Sequence, residues 1–319
     1  MGIRDTWFLG AGASMRSGAP LTKQFIPWLY EEGQKETRLC QLRLFISDLF
    51  GSNLKLSPPL YPKFEQILSF VDAAISDGQF FSAKYDSKKL LELRSDINYL
   101  IWRMLEKSLP SLNSPTFTQF VKMAGPDSLF LTVNYDVLLD QSILSEYKNI
   151  NYGMRFSRMY YQNQTTENAQ TPLLLKLHGS VNWLYCPTCE SLYCYADEPS
   201  IRRIFDPEPV ICAYDQTYLR GVLISPTWQK DYKLAPINLM WIKASKLLRD
   251  TERITFIGYS LSDIDMKILY MLKRSTFNNV KQPRIRVIDP EPTGKIAKRY
   301  QRIFGDIEYH CLSFEEFVS

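Results

Sequence analysis

The chain has 319 residues, which is enough for one large domain or two modest ones. Hydrophobic residues make up 45% of it and charged residues 23%, as in ordinary globular proteins. The formal net charge of +4 is spread over this length, so the composition does not indicate a direct nucleic-acid site. No apolar run approaches the roughly 20 residues that a membrane span requires.

The first residues, MGIRDTWFLGAGAS, lack the long apolar region and the cleavage site of a targeting peptide. The six cysteines are unevenly spaced, and three of them lie close together at Cys186, Cys189 and Cys194. That pattern is typical of a reducing compartment and not of a disulfide scaffold. We therefore expect a cytoplasmic protein without a membrane partner.

Short apolar runs rich in β-branched and aromatic residues recur along the chain. They predict strands at TWFLG, SLFLTV, LLLKL, GVLIS, ITFIG and RIRVID, in that order. Continuous apolar character is typical of strands covered on both faces, as in a parallel sheet. Because helical patterns lie between several of these runs, we predict an α/β fold, a Rossmann-like doubly wound parallel sheet.

Residues 20–125 interrupt this alternation. Three segments there carry apolar positions at helical spacing: RLCQLRLFISDLF, FEQILSFVDAAIS and KKLLELRSDINYLIWRMLEKSL. They predict a helical insert module over 20–125, whose apolar faces form its own core or a subunit contact. The loop-like stretch 184–221 predicts a second, small cysteine-containing insertion, and both insertions belong to a single domain spanning 1–319.

The first predicted strand runs directly into a glycine-rich turn, GAGAS, which comprises Gly10, Ala11, Gly12, Ala13 and Ser14. A turn of this kind lets the phosphates of a ligand approach the backbone at a helix N-terminus. Many α/β proteins use such a turn simply to pack a helix on a strand. The motif alone leaves both interpretations open.

Polar clusters also follow four later predicted strands. They comprise Thr132, Asn134 and Asp136 in LTVNYD, His178 in KLHGSVNW, Gly258, Ser260, Asp263 and Asp265 in GYSLSDID, and Asp289 in RVIDPEP. Ligands of open α/β sheets bind outside the carboxyl ends of the strands, so these clusters predict one crevice. Asp263 serves equally well as a helix N-cap. Asn134 as a turn former and His178 as a satisfied core histidine are the alternatives, but they do not explain why both residues occur together with the turn Gly10–Ser14.

In their order and spacing, GAGAS, TVNYD, KLHGSVNW, CPTC and GYSLSDID resemble the motifs of the sirtuin-like domain, the silent information regulator type 2 fold. The chain is most similar to the bacterial NAD-consuming effectors of antiphage defence. The resemblance implies an NAD+ site with the diphosphate on Gly10–Ser14 and the adenosine end near Gly258, Ser260 and Asp289. It maps the family's catalytic asparagine and histidine onto Asn134 and His178.

Deacylating sirtuins follow the glycine-rich turn with a Gly-Ile-Pro-Asp-Phe-Arg segment, whereas this chain has SGAPLTKQF and a much longer helical insert. Both departures favour hydrolysis over transfer to acyl-lysine. The expected function is an NAD+ glycohydrolase, the toxic effector of an antiphage system that depletes cellular NAD+ in abortive infection. An NAD-dependent protein deacylase and a non-catalytic module that binds NAD or ADP-ribose are the alternatives.

An unregulated enzyme of this kind would drain its host of NAD+. We therefore expect control by a companion sensor or regulatory protein, by a ligand, or by assembly into a homo- or hetero-oligomer.

Cleavage of the nicotinamide–ribose bond passes through a transition state with oxocarbenium character, as in glycoside cleavage. In the expected mechanism Asn134 orients a water or a ribose hydroxyl without titrating. His178 is the general base, because histidine exchanges protons near neutral pH. Asp136 holds the asparagine loop or a ribose hydroxyl, or has a purely structural role. His310, in the terminal run IEYHC, is expected to be structural.

Cys186 and Cys189 have the Cys-x-x-Cys spacing that suits two ligands of a tetrahedral zinc ion. The second pair of a sirtuin zinc ribbon is missing as a pair, which leaves Cys194 and Cys212 as candidates to complete a structural Zn2+ site. The irregular spacing leaves a degenerate ribbon of free thiols equally open.

Overall fold

The structure is a computed structural model that describes residues 5–54, 60–78, 81–109, 113–160, 170–195, 210–224, 234–262, 265–277 and 282–319. These residues divide into two compact units. The first holds the described parts of 1–19, 109–224 and 232–319, and the second holds those of 20–108. In the ranges given above, no helix is long and apolar enough to cross a bilayer.

All strands of the described residues lie in the first unit. In chain order they are β1 Asp5–Leu9, β2 Leu129–Thr132, β3 Arg158–Tyr160, β4 Leu173–Lys176, β5 Gly179–Tyr185, β6 Leu192–Tyr195, β7 Arg220–Leu223, β8 Arg253–Ile257, β9 Arg284–Ile288 and β10 Glu308–His310. The helices are α1 Ala11–Met15, α2 Phe25–Glu31, α3 Cys40–Leu54, α4 Phe64–Asp77, α5 Ser87–Ser108, α6 Pro115–Ala124, α7 Leu138–Tyr147, α8 Ala235–Arg249, α9 Met266–Phe277, α10 Lys295–Phe304 and α11 Phe314–Val318.

The main sheet has six strands in the order β10-β9-β8-β1-β2-β4, and every pair is parallel. Counted along the chain, this is the doubly wound order, in which the direction of winding reverses between β1 and β8. The predicted α/β fold is therefore confirmed. Five of the predicted runs form strands of this sheet, and the short edge strand β10 had no signal in the sequence.

A second sheet contains four strands in the order β3-β6-β5-β7. The prediction that GVLIS belongs to the parallel sheet was wrong, because these residues form β7, which pairs antiparallel with β5. An apolar run indicates that a strand is buried, but it does not show which sheet the strand joins. The contact is close at Gly179, where an added Cβ would lie 2.0 Å from the carbonyl oxygen of Val222. The same sheet gives regular structure to part of the stretch predicted to be loop-like.

Helix α6 lies within the predicted bounds of the insert but packs in the first unit. The ring of Phe120 lies 5.1 Å from that of Trp7 in β1 and 5.5 Å from that of Phe130 in β2. The second unit accordingly ends at Ser108 and not at residue 125. The reason is the apolar face of α6, which covers the sheet, whereas its sequence pattern resembles that of the preceding helices.

The second unit is helical and contains α2 to α5. Apolar side chains one turn apart on α4 and α5 are buried, including Ile67, Val71, Leu93 and Ile97. At these positions the apolar stripes of the insert form a core, one of the two roles that the sequence had left open.

Candidate functional site

Two loops meet where the strand order of the main sheet reverses. β1 and β8 pair in register up to their last residues, Leu9 and Ile257. Gly10 and Gly258 therefore leave the sheet side by side. In doubly wound folds the ligand binds in the crevice outside the carboxyl ends of the strands at this point. We refer to the strand ends around these two loops as the crevice.

The glycine-rich turn packs directly on the backbone of the loop after β8. The N–H of Gly10 donates to the carbonyl of Ile257 at 3.0 Å, and that of Gly12 donates to the carbonyl of Gly258 at 2.8 Å. A Cβ on Gly10 would lie 2.6 Å from the oxygen of Gly258. Gly258 itself has a φ of +57°, and a Cβ there would lie 2.2 Å from the nitrogen of Ala13. These glycines therefore do have a packing role. They let the backbones of the two loops touch with no side chain between them.

Asn134 is anchored on the same turn. Its Nδ2 donates to the carbonyl of Gly10 at 2.9 Å and contacts the hydroxyl of Ser14 at 3.1 Å. Its backbone N–H donates to Oγ1 of Thr132, whose hydroxyl in turn donates to the carbonyl of Leu9 at 3.0 Å. The Oδ1 atom of Asn134 is buried and has no hydrogen-bond partner within the described part of the chain. The carboxamide is therefore held at its nitrogen and presents an acceptor at its oxygen.

Asp136 fixes the start of α7. Its Oδ1 accepts the backbone N–H of Leu138 at 3.2 Å, and its carboxyl also accepts a hydrogen bond from Ser14. The side chain is buried, and this burial raises the pKa of Asp136 above its usual value, against the opposing effect of the Lys176 ammonium. Ser14 thus joins Asn134 to Asp136, and Asp136 holds the asparagine loop.

His178 lies two residues beyond the end of β4, as Asn134 lies two residues beyond the end of β2. Because Thr132 and Lys176 are paired in the sheet, the two side chains follow neighbouring strands at the same edge. His178 is buried, and its side chain is only 4% exposed. Its Nε2 lies 3.8 Å from Oδ1 of Asp265, a buried residue just before α9.

Further groups fix the surroundings of this histidine. The second carboxyl oxygen of Asp265 accepts a hydrogen bond from the hydroxyl of Tyr259 at 3.1 Å. The ring of Tyr135 lies 6.5 Å from the imidazole, and that of Trp241 lies 6.4 Å from it. The backbone carbonyl of His178 accepts the N–H of Ile224 at 2.8 Å. The imidazole is therefore enclosed by aromatic rings and has a carboxyl group on one side.

The remaining predicted contacts are spread around the crevice. Ser260 is exposed, and its carbonyl accepts a hydrogen bond from Arg299 at 2.6 Å. Asp289 is half-buried at the end of β9, and burial raises the pKa of its carboxyl group. In α1, Ala13 and Ser14 are buried and Ala11 is partly exposed. Asp263 lies outside the described residues.

Four side chains outside the crevice form a compact group, which we call the cysteine cluster. It contains Cys186, Cys189, Cys212 and Asp215, whose sulfur and carboxylate oxygen atoms all lie within 4.8 Å of one another. The sulfur atoms of Cys189 and Cys212 are 3.5 Å apart, and that of Cys186 lies 3.2 Å from Oδ2 of Asp215. A hydrogen bond from the backbone of Thr217 holds the pKa of Asp215 well below its usual range.

Two similar turns build the cysteine cluster. The N–H of Cys186 donates to the carbonyl of Ser191, five residues on, and the N–H of Cys212 donates likewise to Thr217. The residue after the second cluster member of each turn has a positive φ, +58° at Glu190 and +60° at Gln216. The second half therefore has the form Cys-x-x-Asp, and it repeats the geometry of the Cys-x-x-Cys half.

The structure does not bring Cys194 into this cluster. Along β6 successive side chains point to opposite faces, and the hydroxyl of the preceding Tyr193 lies 3.2 Å from the sulfur of Cys212. Cys194 faces the other way, is fully buried and belongs to the core of the main sheet. Asp215 takes the place predicted for Cys194.

A comparison with protein families shows to which family this chain belongs. The model of the SIR2-like domain matches residues 128–306, which is more than half of the chain. The chain belongs to the SIR2-like domain family. The match includes the asparagine loop, His178, the cysteine cluster and the loop after β8.

A solved structure has the same fold as this SIR2-like chain. A crystal structure of a SIR2 homologue–NAD complex has a TM-score of 0.52 and 13% sequence identity, and the match covers 99% of this chain and 86% of that one. A structure of Sir2 bound to acetylated peptide has a TM-score of 0.48 and 13% identity, with 99% and 90% covered. Among curated proteins, no sequence matches significantly.

Two residues of the SIR2-like chain that sequence reasoning left out of the candidate sites, Asp215 and Lys176, contact predicted site residues, and Asp265 was predicted at the crevice without a role. Asp265 stood in the quoted motif GYSLSDID, but nothing in that motif shows that its carboxyl faces His178. Asp215 becomes visible only when Cys-x-x-Asp is compared with Cys-x-x-Cys. Lys176 stands in an apolar strand. A strand covered on both faces rarely contains a lysine without a buried partner, so this charged residue could have indicated a buried ion pair.

Proposed function

We propose that this SIR2-like chain binds NAD+ in the crevice and cleaves its nicotinamide–ribose bond. The observation that carries the proposal is the anchored carboxamide of Asn134, whose buried Oδ1 has no partner within the described residues. A preoriented acceptor at the sheet edge that also carries His178 suits a reacting ribose hydroxyl or water. The fold supports the proposal, since a solved SIR2 homologue of the same fold is a complex with NAD.

In this proposal the diphosphate of NAD+ lies on the turn Gly10–Ser14 and the adenosine end lies near Gly258, Ser260 and Asp289. Backbone contact at Gly10 and Gly258 holds the two loops together where the strand order reverses, which is the position at which doubly wound folds bind their ligands. A carboxylate at the end of β9 suits the hydroxyl groups of the adenosine ribose. We also propose that Asp263, which belongs to the motif GYSLSDID, contacts the bound NAD+.

The side chains of the crevice divide the chemistry among them. As the bond to nicotinamide breaks, positive charge develops on the ribose, and Oδ1 of Asn134 accepts a hydrogen bond from the nucleophilic water or a ribose hydroxyl. His178 takes the proton of that hydroxyl or water as general base. Asp265 orients the imidazole, and Asp136 and Ser14 hold the asparagine loop. The nicotinamide leaves as a neutral molecule.

Hydrolysis to nicotinamide and ADP-ribose is the outcome that we propose. Its support is the sequence after the glycine-rich turn, where SGAPLTKQF replaces the Asp-Phe-Arg segment of deacylating sirtuins. We further propose that the chain is a cytoplasmic effector of antiphage defence, activated by a companion protein or ligand and assembled as an oligomer. This step rests on the motif resemblance.

We also propose that the cysteine cluster binds a structural Zn2+. Zinc–sulfur bonds of about 2.3 Å place tetrahedral sulfur ligands about 3.7 Å apart. The sulfur atoms of Cys189 and Cys212 are 3.5 Å apart, and all four candidate ligand atoms lie within 4.8 Å of one another. Three thiols and one ionised carboxylate are ligands that zinc accepts, and four protein ligands leave no open position for catalysis. The ion would hold the two turns together.

Nicotinamide release distinguishes the three candidate functions. The purified protein is incubated with NAD+, with and without an acetylated peptide, alone and together with the proteins encoded beside it. We expect release without peptide and its loss in Asn134→Ala. Release that requires peptide would identify a deacylase.

Binding gives a second readout that does not depend on activation. Isothermal titration of NAD+ into the isolated chain is expected to show binding by the wild-type protein. Binding without release in every mixture would identify a non-catalytic module. Absence of both binding and release would contradict the proposal.

A further inference from the structure

A buried ion pair lies beneath the crevice. The side chain of Lys176 is fully buried, and its Nζ donates to Oδ2 of Asp140 at 2.7 Å, whose own side chain is 1% exposed. The hydroxyl of Tyr152 donates to the other oxygen of Asp140 at 2.6 Å, and Nδ2 of Asn182 donates to that hydroxyl at 3.1 Å. The pair is therefore hydrogen-bonded at both ends.

Stability alone is a weak explanation for this pair. The free energy needed to remove two charges from water is about as large as the electrostatic attraction between them. Apolar residues of equal volume would therefore stabilise the core as well. The ammonium also makes a third contact, a hydrogen bond of 2.6 Å from Nζ to the backbone carbonyl of Asp136. An apolar residue could not make that contact.

The position of the third contact relates the pair to the site. Lys176 precedes His178 by two residues on β4, Asp140 lies in the first turn of α7, and Asp136 belongs to the loop that carries Asn134. One ammonium group thus connects the strand of the histidine, the loop of the asparagine and the helix that follows it. The three residues that meet at this ammonium group, Lys176, Asp136 and Asp140, are all buried.

We propose that Lys176 and Asp140 are positioning residues for NAD+ cleavage, because their ion pair holds the loop of Asn134 in place against the strand that ends at His178. The inference rests on the proposed function. Lys176 fixes the carbonyl of Asp136, and Asp140 fixes Lys176. Neither side chain reaches the crevice itself, so both act through Asn134 and Asp136.

The test uses a double variant, Lys176→Met with Asp140→Asn, which removes both charges together. Met fills the volume of the lysine stem, and Asn keeps an acceptor for the hydroxyl of Tyr152. The matched control is Thr6→Val with Thr251→Val, which removes the buried hydrogen bond of 2.8 Å between their hydroxyls near the opposite end of β1. Asp140→Glu is a second, milder variant, which keeps both charges and moves the carboxylate by one methylene.

Three quantities are measured on each protein: the midpoint of thermal unfolding, the kcat and KM for NAD+ under conditions where the wild type is active, and amide exchange over residues 133–138. We expect the double variant to unfold cooperatively like the control. Its kcat should fall about a hundredfold, with KM changed less than about threefold, because displaced groups lose reactivity more than binding. Exchange over 133–138 should be faster than in the control.

Equal kcat in the double variant and the control, or unchanged exchange over 133–138, would overturn the positioning role. If the double variant does not fold, Asp140→Glu decides: a kcat equal to the wild-type value overturns the proposal, and a selective fall in kcat supports it. If the wild type neither binds nor cleaves NAD+, the proposed function fails. The exchange rates would then still show whether the pair holds the loop.

Discussion

The crevice and the cysteine cluster both gather polar side chains, but they do so by different means. Each half of the cluster is one turn of six residues, so its two cluster side chains stand three residues apart and the local backbone sets their geometry. The crevice joins Gly10, Asn134, His178 and Asp265, which follow different strands. Its geometry exists only when the main sheet is wound in the observed order. Each half of the cluster is a local structure, whereas the crevice depends throughout on the topology of the sheet.

The largest effect is expected at the contact between the two loops of the crevice. Gly258→Ala places a Cβ 2.2 Å from the nitrogen of Ala13 at a φ of +57°, and we expect it to lower the free energy of unfolding by about 3 kcal/mol. Gly294→Ala is the matched control, since Gly294 also has a positive φ but no atom within 4 Å of its Cβ position. The control should lose only about 1 kcal/mol.

Denaturant titration of both alanine variants provides the check. Equal losses at Gly258 and Gly294 would show that the two loops do not press on each other as described. An added Cβ at the crevice would then destabilise the protein no more than one at a surface turn.

A second change should affect the cluster and spare the crevice. Asp215→Ala removes the carboxylate, and we expect zinc affinity to fall at least about tenfold, as for other losses around metal ligands. Glu190→Ala is the control, because Glu190 is an acidic residue of the other turn that is not a member of the cluster. A competition titration with a chelator measures both. Wild-type affinity in Asp215→Ala, or an equal loss in Glu190→Ala, contradicts the proposed ligand set.

Asp265→Asn should have a smaller effect, confined to catalysis. The substitution keeps the size of the side chain and the hydrogen bond with Tyr259 but removes the charge 3.8 Å from Nε2 of His178. We expect kcat to fall about tenfold with little change in KM, as for a group that assists a general base. Steady-state kinetics with NAD+ decides. An increase in KM at constant kcat would place Asp265 in substrate binding instead.

The smallest effect is a pH dependence of stability. Burial raises the pKa of Asp136 in the folded chain above the unfolded value, so the folded state holds this proton more tightly. Its contribution to stability is complete below the unfolded pKa of about 4 and is lost as the pH rises through the folded pKa. The stability of the wild type relative to Asp136→Asn should therefore decrease from pH 4 towards neutrality. A difference that stays constant or increases would contradict the assignment.

The contrast between the two regions also shows what the sequence could predict. Strands β1, β2, β4, β8 and β9 were predictable because each is an apolar run that ends at a polar or glycine residue. The pairing of β7 was not, since GVLIS has the same composition as the strands of the parallel sheet. Cys-x-x-Cys was visible as a spacing, whereas Asp215 needed the three-dimensional repeat of the turn. The partners of His178 and Lys176, namely Asp265 and Asp140, lie far away in the chain, and only the wound sheet brings them near.

The two histidines of the chain test the central claim most directly. His178 lies enclosed at the crevice and His310 lies exposed on the edge strand β10. Nicotinamide release from NAD+ without peptide is measured for His178→Ala and His310→Ala beside the wild type, together with NAD+ affinity. We predict that His178→Ala loses release while it still binds NAD+, and that His310→Ala retains both. Release from His178→Ala at the wild-type rate would contradict the account.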